Sequence, residues 1–362
     1  MRNICFINTN KSWGGGEKWH YENSRALSGY KEKYNIFFVS HIDGKLSQLV
    51  LTYCKEQLKI NIRNLSFLNI FKIINLLFFI RKNNIETLII NQPNDLKILG
   101  IVGRLARVKN IIYRRGSAIG IKDRITNRLI FRYCIDKIIA NSNETKKTIN
   151  INNPNMFPEN KIVIIYNGIN IEEIEKVEVD IDIRKEFEIE KDVILIGNVG
   201  RLSKQKGHIY LFDSIKKVKE TRDDFVVLLI GTGEEEEKLK AYAKELEIEK
   251  NIRFLGFRED VYKILKQVDF LVHTALWEGF GYVIVESLAC GKPVVSTNVS
   301  NIPEILNDER YGYLAKDRDI IDISNKIISM IEGFKGFKVE GLKLRARDFD
   351  FEIKIKELEG LV

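Results

Sequence analysis

Short runs rich in β-branched and aromatic residues alternate with helix-length segments along almost the whole chain, and the alternation restarts once, at DVILIGNVG (192–200). Parallel strands cannot be joined by a tight hairpin, so strand-helix-strand repeats build a parallel sheet buried on both faces, whose strands read as continuous apolar runs. In the first half strands are expected near 3–8, 34–40, 87–91, 110–113, 137–141 and 161–166. In the second half they are expected near 193–199, 225–230, 251–255, 269–273, 293–296 and 311–314. At 362 residues the chain also exceeds the size at which one core keeps growing. The fold class is therefore α/β, with two Rossmann-like doubly wound domains facing across a cleft. The reading places one domain at 1–170, a charged linker at 171–191, a second domain at 192–340 and a C-terminal helix at 341–362.

No segment approaches the ~20 apolar residues that a transmembrane helix needs. The richest, FLNIFKIINLLFFI (67–80), is broken by Asn69, Lys72 and Asn75. Its period reads as an amphipathic, core-facing helix, with a membrane-surface helix as the alternative. MRNICFIN enters a strand without a charged leader and apolar signal core, so the expected location is cytoplasmic. Cys5, Cys54, Cys134 and Cys290 form no CxxC pair, and His20, His41, His208 and His273 show no ligand spacing; they suggest neither zinc nor a disulfide framework.

The net charge of +8 is concentrated. Residues 101–150 hold twelve Lys or Arg against Asp123, Asp136 and Glu144, which is +9 and leaves about -1 for the rest. The window lacks interleaved aromatics and any recognition-helix pattern, so no nucleic acid is expected. Three readings stand: an anionic membrane surface, a phosphorylated acceptor, or a solvated basic face.

Two glycine-rich strand-to-helix turns are placed to meet anions. Trp13-Gly14-Gly15-Gly16-Glu17 follows the first strand, and Gly200-Arg201-Leu202 with Lys206-Gly207 follows the first strand of the second half. Backbone N-H groups at a helix start, joined by two cations, suit a departing diphosphate. Gly231-Thr232-Gly233 makes another turn, and the EEEE run after it reads as a helix N-terminus. The most specific segment is EGFGYVIVE (278–286), in which two glutamates flank a glycine turn that feeds a helix. Carboxylates there can accept hydrogen bonds from sugar hydroxyls.

The run from IRFLGFRED (252–260) through ESLACGKPVVSTNVSNIPEIL (286–306), with VGRLSKQKGH (199–208) and the opening GGGE loop, resembles the family 4 retaining glycosyltransferases of GT-B fold. The resemblance is strong over 193–314 and loose before it. It implies that Arg201 and Lys206 bind the donor diphosphate and that Glu286 holds the ribose. Glu278 and the backbone of Phe280, Gly281 and Tyr282 would contact the transferred sugar, and Gly256 and Phe257 the base. Glu278, Arg201 and Lys206 are the implied catalytic set, with Gly15 and Gly16 on the donor side. The first domain would take a glycan or lipid-linked acceptor for cell-surface polysaccharide or glycolipid synthesis, and the terminal helix would cross back onto it.

The sequence departs from the family pattern in three places. Many members carry a histidine where this chain reads Tyr113-Arg114-Arg115-Gly116-Ser117, and Arg115 or Ser117 is the candidate replacement. Thr274-Ala275 replaces a proline-serine pair, and Asn301 a glycine, with Asn301 and Glu304 readable as a helix capping box. The Asp180/Asp182 and Asp348/Asp350 pairs lack the strand context of a metal-binding DxD, so no metal and no cofactor are expected. The competing readings are a GT-B sugar-nucleotide epimerase and a basic nucleotide- or nucleic-acid-binding module.

Overall fold

The computed structural model describes residues 1–307 and 309–362. The chain forms two compact units, Met1–Asn167 with Glu352–Val362, and Gly168–Phe351.

The first unit holds a parallel sheet of β1 (Arg2–Asn8), β2 (Tyr34–Ser40), β3 (Glu56–Lys59), β4 (Thr87–Ile90), β5 (Asn110–Arg115), β6 (Lys137–Ala140) and β7 (Ile162–Ile164). Their order is β3-β2-β1-β4-β5-β6-β7. Ile4 to Ile7 are completely buried because helices cover both faces of the sheet. β3 escapes sequence reading: Glu-Gln-Leu-Lys has no apolar run, and it pairs only at the sheet edge, from Phe37 opposite Glu56 to Ser40 opposite Lys59. Charged edge strands of this kind discourage pairing with other chains.

The helix expected over 67–80 runs Ile70–Lys82, and it is not simply core-facing. Leu76, Phe79 and Ile80 are buried, whereas Ile70, Phe71, Ile74 and Phe78 are exposed. Its apolar residues wrap more than one face, and a single stripe is all that the sheet can cover.

The second unit repeats the plan with β8 (Ile194–Val199), β9 (Phe225–Ile230), β10 (Ile252–Gly256), β11 (Phe270–His273), β12 (Val294–Thr297) and β13 (Gly312–Ala315), all parallel. The order is β10-β9-β8-β11-β12-β13. Each sheet thus reverses its winding once, between β1 and β4 and between β8 and β11. A crevice opens at the strand carboxyl ends at such a point, because the flanking helices leave on opposite faces.

The stretch 171–191 carries two short helices, Ile171–Lys176 and Ile183–Glu186, within the second unit. Where the sequence reads one terminal helix, there are two, Val339–Arg347 and Phe351–Glu359. The last of these belongs to the first unit from Glu352 onward. Lys33 Nζ and Tyr34 Oη reach Glu359 Oε1 at 3.0 and 3.1 Å, and Asn110 Nδ2 donates to the Leu361 carbonyl at 2.7 Å. The exposed Lys33–Glu359 pair contributes little, and the apolar part of the docking rests on Ile355 and Leu358, both essentially inaccessible. Leu358→Ala should therefore cost about 2–5 kcal/mol in urea unfolding of the full chain. A loss below about 1 kcal/mol would show that the helix is not held by this side chain.

Candidate active site

At the β8/β11 reversal, loops from three strand ends interlock. Leu202 N donates to the Thr232 carbonyl and Glu235 N to the Leu202 carbonyl, both at 3.0 Å, so the Gly231-Thr232-Gly233 turn braces the Gly200–Leu202 loop. A Cβ on Gly233 would stand 2.2 Å from the Leu202 carbonyl oxygen, which no side chain tolerates. Gly207, at φ +64°, caps the helix His208–Lys219, and a Cβ there would lie 2.2 Å from the Thr274 carbonyl oxygen. Close backbone approach is why these positions are glycine.

That packing delivers Lys206 to the end of β11. Its Nζ lies 2.6 Å from Glu278 Oε2, with both side chains largely buried. His273 Nε2 is 3.2 Å from the same oxygen, and its Nδ1 is 3.2 Å from Ser296 Oγ. An ionised carboxylate only accepts, so Nε2 carries the proton and the hydroxyl of Ser296 donates to Nδ1. Burial keeps His273 below its ordinary range, against the hydrogen bond to Glu278. Burial acts to raise the Glu278 carboxyl, but the His273 hydrogen bond and the Lys206 charge overcome it and lower the group to about 2. The Ser300 hydroxyl faces the Glu278 backbone N-H at 3.1 Å and fixes the turn. Sequence reasoning missed His273 and Ser296; a histidine closing an otherwise apolar strand was the available signal.

Gly281, at φ +87°, starts the helix Tyr282–Ala289. Glu286 lies on that helix, and Tyr262 Oη is 3.4 Å from its Oε1; burial and then the Glu286 charge push the phenol up. Asn301 does not cap its helix by its side chain, contrary to the capping-box expectation. Its amide instead donates to the Phe280 carbonyl at 2.9 Å, because the side chain turns toward the glycine turn. Gly256 ends β10 at φ +65°, and Phe257 beyond it is 73% exposed.

Arg201 stands in solvent, paired with Glu234 at 2.9 Å. The EEEE run is thus not all helix start: the helix begins at Glu236, and Glu234 faces Arg201. Three of the four aspartates in the two DxD pairs have identified partners. Asp182 caps the helix Ile183–Glu186, Asp180 pairs with Lys263, and Asp348 pairs with Arg345. Among the described residues no group of three His, Cys, Asp or Glu is placed to hold a metal ion.

Gly15, Gly16, Arg115 and Ser117 belong to the first unit. Gly16, Arg115 and Ser117 line a cavity of about 460 Å³ at the carboxyl ends of β1, β4 and β5. Gly15 opens the helix Gly15–Gly29 and is not part of that lining. A Cβ on Gly16 would come within 2.7 Å of Asn91 Nδ2. Glu17, almost fully buried, accepts from Asn8 Nδ2 at 2.9 Å and Asn10 Nδ2 at 3.1 Å. Arg114 is buried over the Trp19 ring and bonds Asn91 and Asn167 at 3.2 and 2.9 Å, whereas Arg115 bonds the Ile119 carbonyl. Glu17 and Arg114 were not singled out from the sequence, although a cation inside a buried strand marks a polar pocket.

Of the basic window, Arg104 pairs with Asp136, Lys109 with Glu86 and Arg128 with Asp123. Arg107, Lys122 and Arg124 are exposed and have no carboxylate partner among the described residues. No helix among the described residues is long and apolar enough to cross a membrane.

Residues 179–336 match the family model described as glycosyl transferases group 1. An uncharacterized glycosyltransferase of Methanocaldococcus jannaschii is 30% identical over 65% of this chain, and the match spans 65% of that relative, a little under two thirds of its length. The N-acetylgalactosamine-N,N'-diacetylbacillosaminyl-diphospho-undecaprenol 4-alpha-N-acetylgalactosaminyltransferase of Campylobacter jejuni is 28% identical over 75% of this chain and 73% of its own. The solved structure of Anabaena HepE in complex with UDP superposes with a TM-score of 0.82 over 99% of both chains at 19% identity, which speaks for the fold. With two doubly wound sheets the chain has the GT-B fold, and its second unit is similar to the group 1 glycosyltransferases.

Proposed function

We propose that the protein is a family 4 retaining glycosyltransferase that moves a sugar from a nucleotide-diphosphate sugar to a lipid-linked acceptor. The observation that carries this reading is the buried Lys206-Glu278-His273 cluster at the winding reversal of the second unit. Breaking a glycosidic bond to diphosphate separates charge, positive at the anomeric centre and negative on the leaving group. A carboxylate held ionised beside a fixed ammonium offers one group to each pole. Lys206 has three N-H donors and gives one to Glu278, so its remaining donors and Arg201 suit the diphosphate. Glu286 suits the ribose, exposed Phe257 with Gly256 the base, and the turn Phe280–Tyr282 the sugar.

The sugar-to-phosphate C-O bond breaks, the acceptor oxygen bonds the anomeric carbon on the same face, and the acceptor proton passes to the departing phosphate oxygen. No metal is required and no resident cofactor is assigned, since the nucleotide sugar is substrate. Two similar proteins support the acceptor class: the Campylobacter transferase and an Escherichia coli UDP-Gal:alpha-D-GlcNAc-diphosphoundecaprenol alpha-1,3-galactosyltransferase are both named for diphosphoundecaprenol-linked acceptors. The HepE structure, solved with UDP, suggests uridine nucleotides as the first donors to try. We place the protein at the cytoplasmic face of an anionic membrane, through the cations of 101–150.

Transfer from UDP-sugars to a diphosphoundecaprenol-linked acceptor, followed by NMR of the linkage, tests the reading. The Arg201→Ala, Lys206→Ala double variant should lower turnover about 10²–10³-fold, with wild-type activity persisting in EDTA. Wild-type turnover in the double variant would remove the diphosphate role.

The pH dependence of folding has a definite sign. The Glu278 carboxyl lies at about 2 in the folded chain, against about 4.3 for an ordinary glutamate. Its stabilisation, on the order of 3 kcal/mol, is complete above about pH 4.3 and disappears as pH falls toward 2. Urea unfolding of wild type and Glu278→Gln should give stabilities that converge from pH 6 to pH 3.5. Parallel curves would mean that the carboxylate is not held ionised by its neighbours.

Reversing Arg107, Lys122 and Arg124 to glutamate should weaken binding to anionic vesicles while leaving donor hydrolysis nearly intact, and wild-type binding should fall as rising salt shortens the screening length below ~8 Å. Equal binding to neutral and anionic vesicles would exclude an electrostatic membrane contact.

A further inference from the structure

Beside the polar cavity of the first unit runs a second groove of about 520 Å³, lined chiefly by Leu65, Phe67, Ile101, Leu129, Ile130 and Tyr133. Its walls are almost entirely carbon. Leu65, Leu129 and Tyr133 are 66%, 52% and 60% exposed, and Ile70, Phe71, Ile74 and Phe78 of the helix Ile70–Lys82 add further exposed apolar surface on the same unit. Water-exposed carbon on this scale marks a binding surface. The two cavities share Lys97, Arg124, Thr126 and Ile130. The groove therefore opens at a cationic wall onto a pocket whose charged lining is Lys97, Arg114, Arg115, Lys122 and Arg124 against Glu17. That sequence of surfaces, apolar then cationic then polar, is complementary to one kind of molecule: a hydrocarbon chain ending in a phosphate that carries a polar group.

We propose that the groove and the pocket together form a lipid-phosphate site, with the chain along Leu65, Ile101 and Leu129, the phosphate at Lys97 and Arg124, and the sugar among Glu17, Asn91 and Arg114. This rests on the reading of a lipid-linked acceptor and assigns that acceptor its place. Charge complementarity selects the occupant. A neutral apolar peptide would leave the charge of Arg124, and that of Lys97 beyond its bond to the Asn64 amide, without a counter-charge, and a soluble phosphosugar would leave the groove uncovered.

Calorimetric titration of the full chain with hexyl, octyl and decyl phosphate below their micelle concentrations tests it. Affinity should rise roughly fourfold for each methylene taken up and then level off as the groove fills. Leu129→Glu, at an exposed position that the fold does not depend on, should weaken decyl phosphate at least tenfold and leave UDP binding unchanged. Arg124→Gln should weaken every alkyl phosphate by the same factor whatever the chain length. Affinity independent of chain length, a rise without a plateau, or indifference to Leu129→Glu would overturn the site. So would a concentration-dependent dimer that Leu129→Glu abolishes, since a second copy would then cover the groove. Sugar transfer to a lipid acceptor that ignores Leu129→Glu removes the groove alone. Decyl phosphate binding lost in Leu129→Glu, in a protein that turns over no donor, removes the transferase reading and keeps the groove.

Discussion

Lys206 and Glu278 are 72 residues apart in sequence and 2.6 Å apart in space, and the chemistry assigned to the second unit depends on that closure. Neither group tolerates burial alone. Removing one partner of such a pair costs about 3–5 kcal/mol because it leaves an uncompensated charge. The pair therefore ties the loop after β8 to the loop after β11 across the winding reversal, where a ligand crevice exists for topological reasons. His273 adds a second donor to Oε2 without adding charge, as burial holds its pKa down, while the Gly279 backbone N-H donates to Oε1 at 3.0 Å.

The surrounding glycines follow from the same closure. Lys206 can reach Glu278 only if the backbone around Gly207 passes against the Thr274 carbonyl, and the loop ahead of it stays in place only if Gly233 packs on Leu202. A sequence shows such glycines as turns. It does not show which carbonyl they meet, since that contact lies between segments far apart in the chain. The Gly231-Thr232-Gly233 turn was legible, but its partner loop was not.

Much of the architecture was legible for a simple reason. Strands buried on both faces must be continuously apolar, so β1, β2, β9 and β11 announce themselves, and the restart of the pattern at Asp192 marks the second sheet. What escaped obeys different physics. β3 is an edge strand that is charged to stay unpaired on one side, and the helix Ile70–Lys82 is apolar on more faces than the sheet can cover. In the candidate site, positions set by local pattern, such as Glu278 and Glu286 around a glycine turn, are legible in the sequence. His273, Ser296 and Arg114 join their clusters only through the tertiary structure and are not.

The first unit shows how a polar pocket persists inside a hydrophobic sheet. Arg114 projects from β5 into the interior, a placement that is stable only because Trp19 covers its face and Asn91 and Asn167 accept its N-H groups. Glu17 is similarly surrounded by amide donors from Asn8 and Asn10. Asp95 nearby shows the opposing tendency. Burial raises its carboxyl to about 6 although Thr9 donates to it from both backbone and hydroxyl. Such groups cost stability and serve no packing need, and their convergence at the β1/β4 reversal mirrors the Lys206 cluster at the β8/β11 reversal. Each sheet thus concentrates its buried charge where its winding changes direction, which is where a parallel sheet offers polar groups access to a ligand.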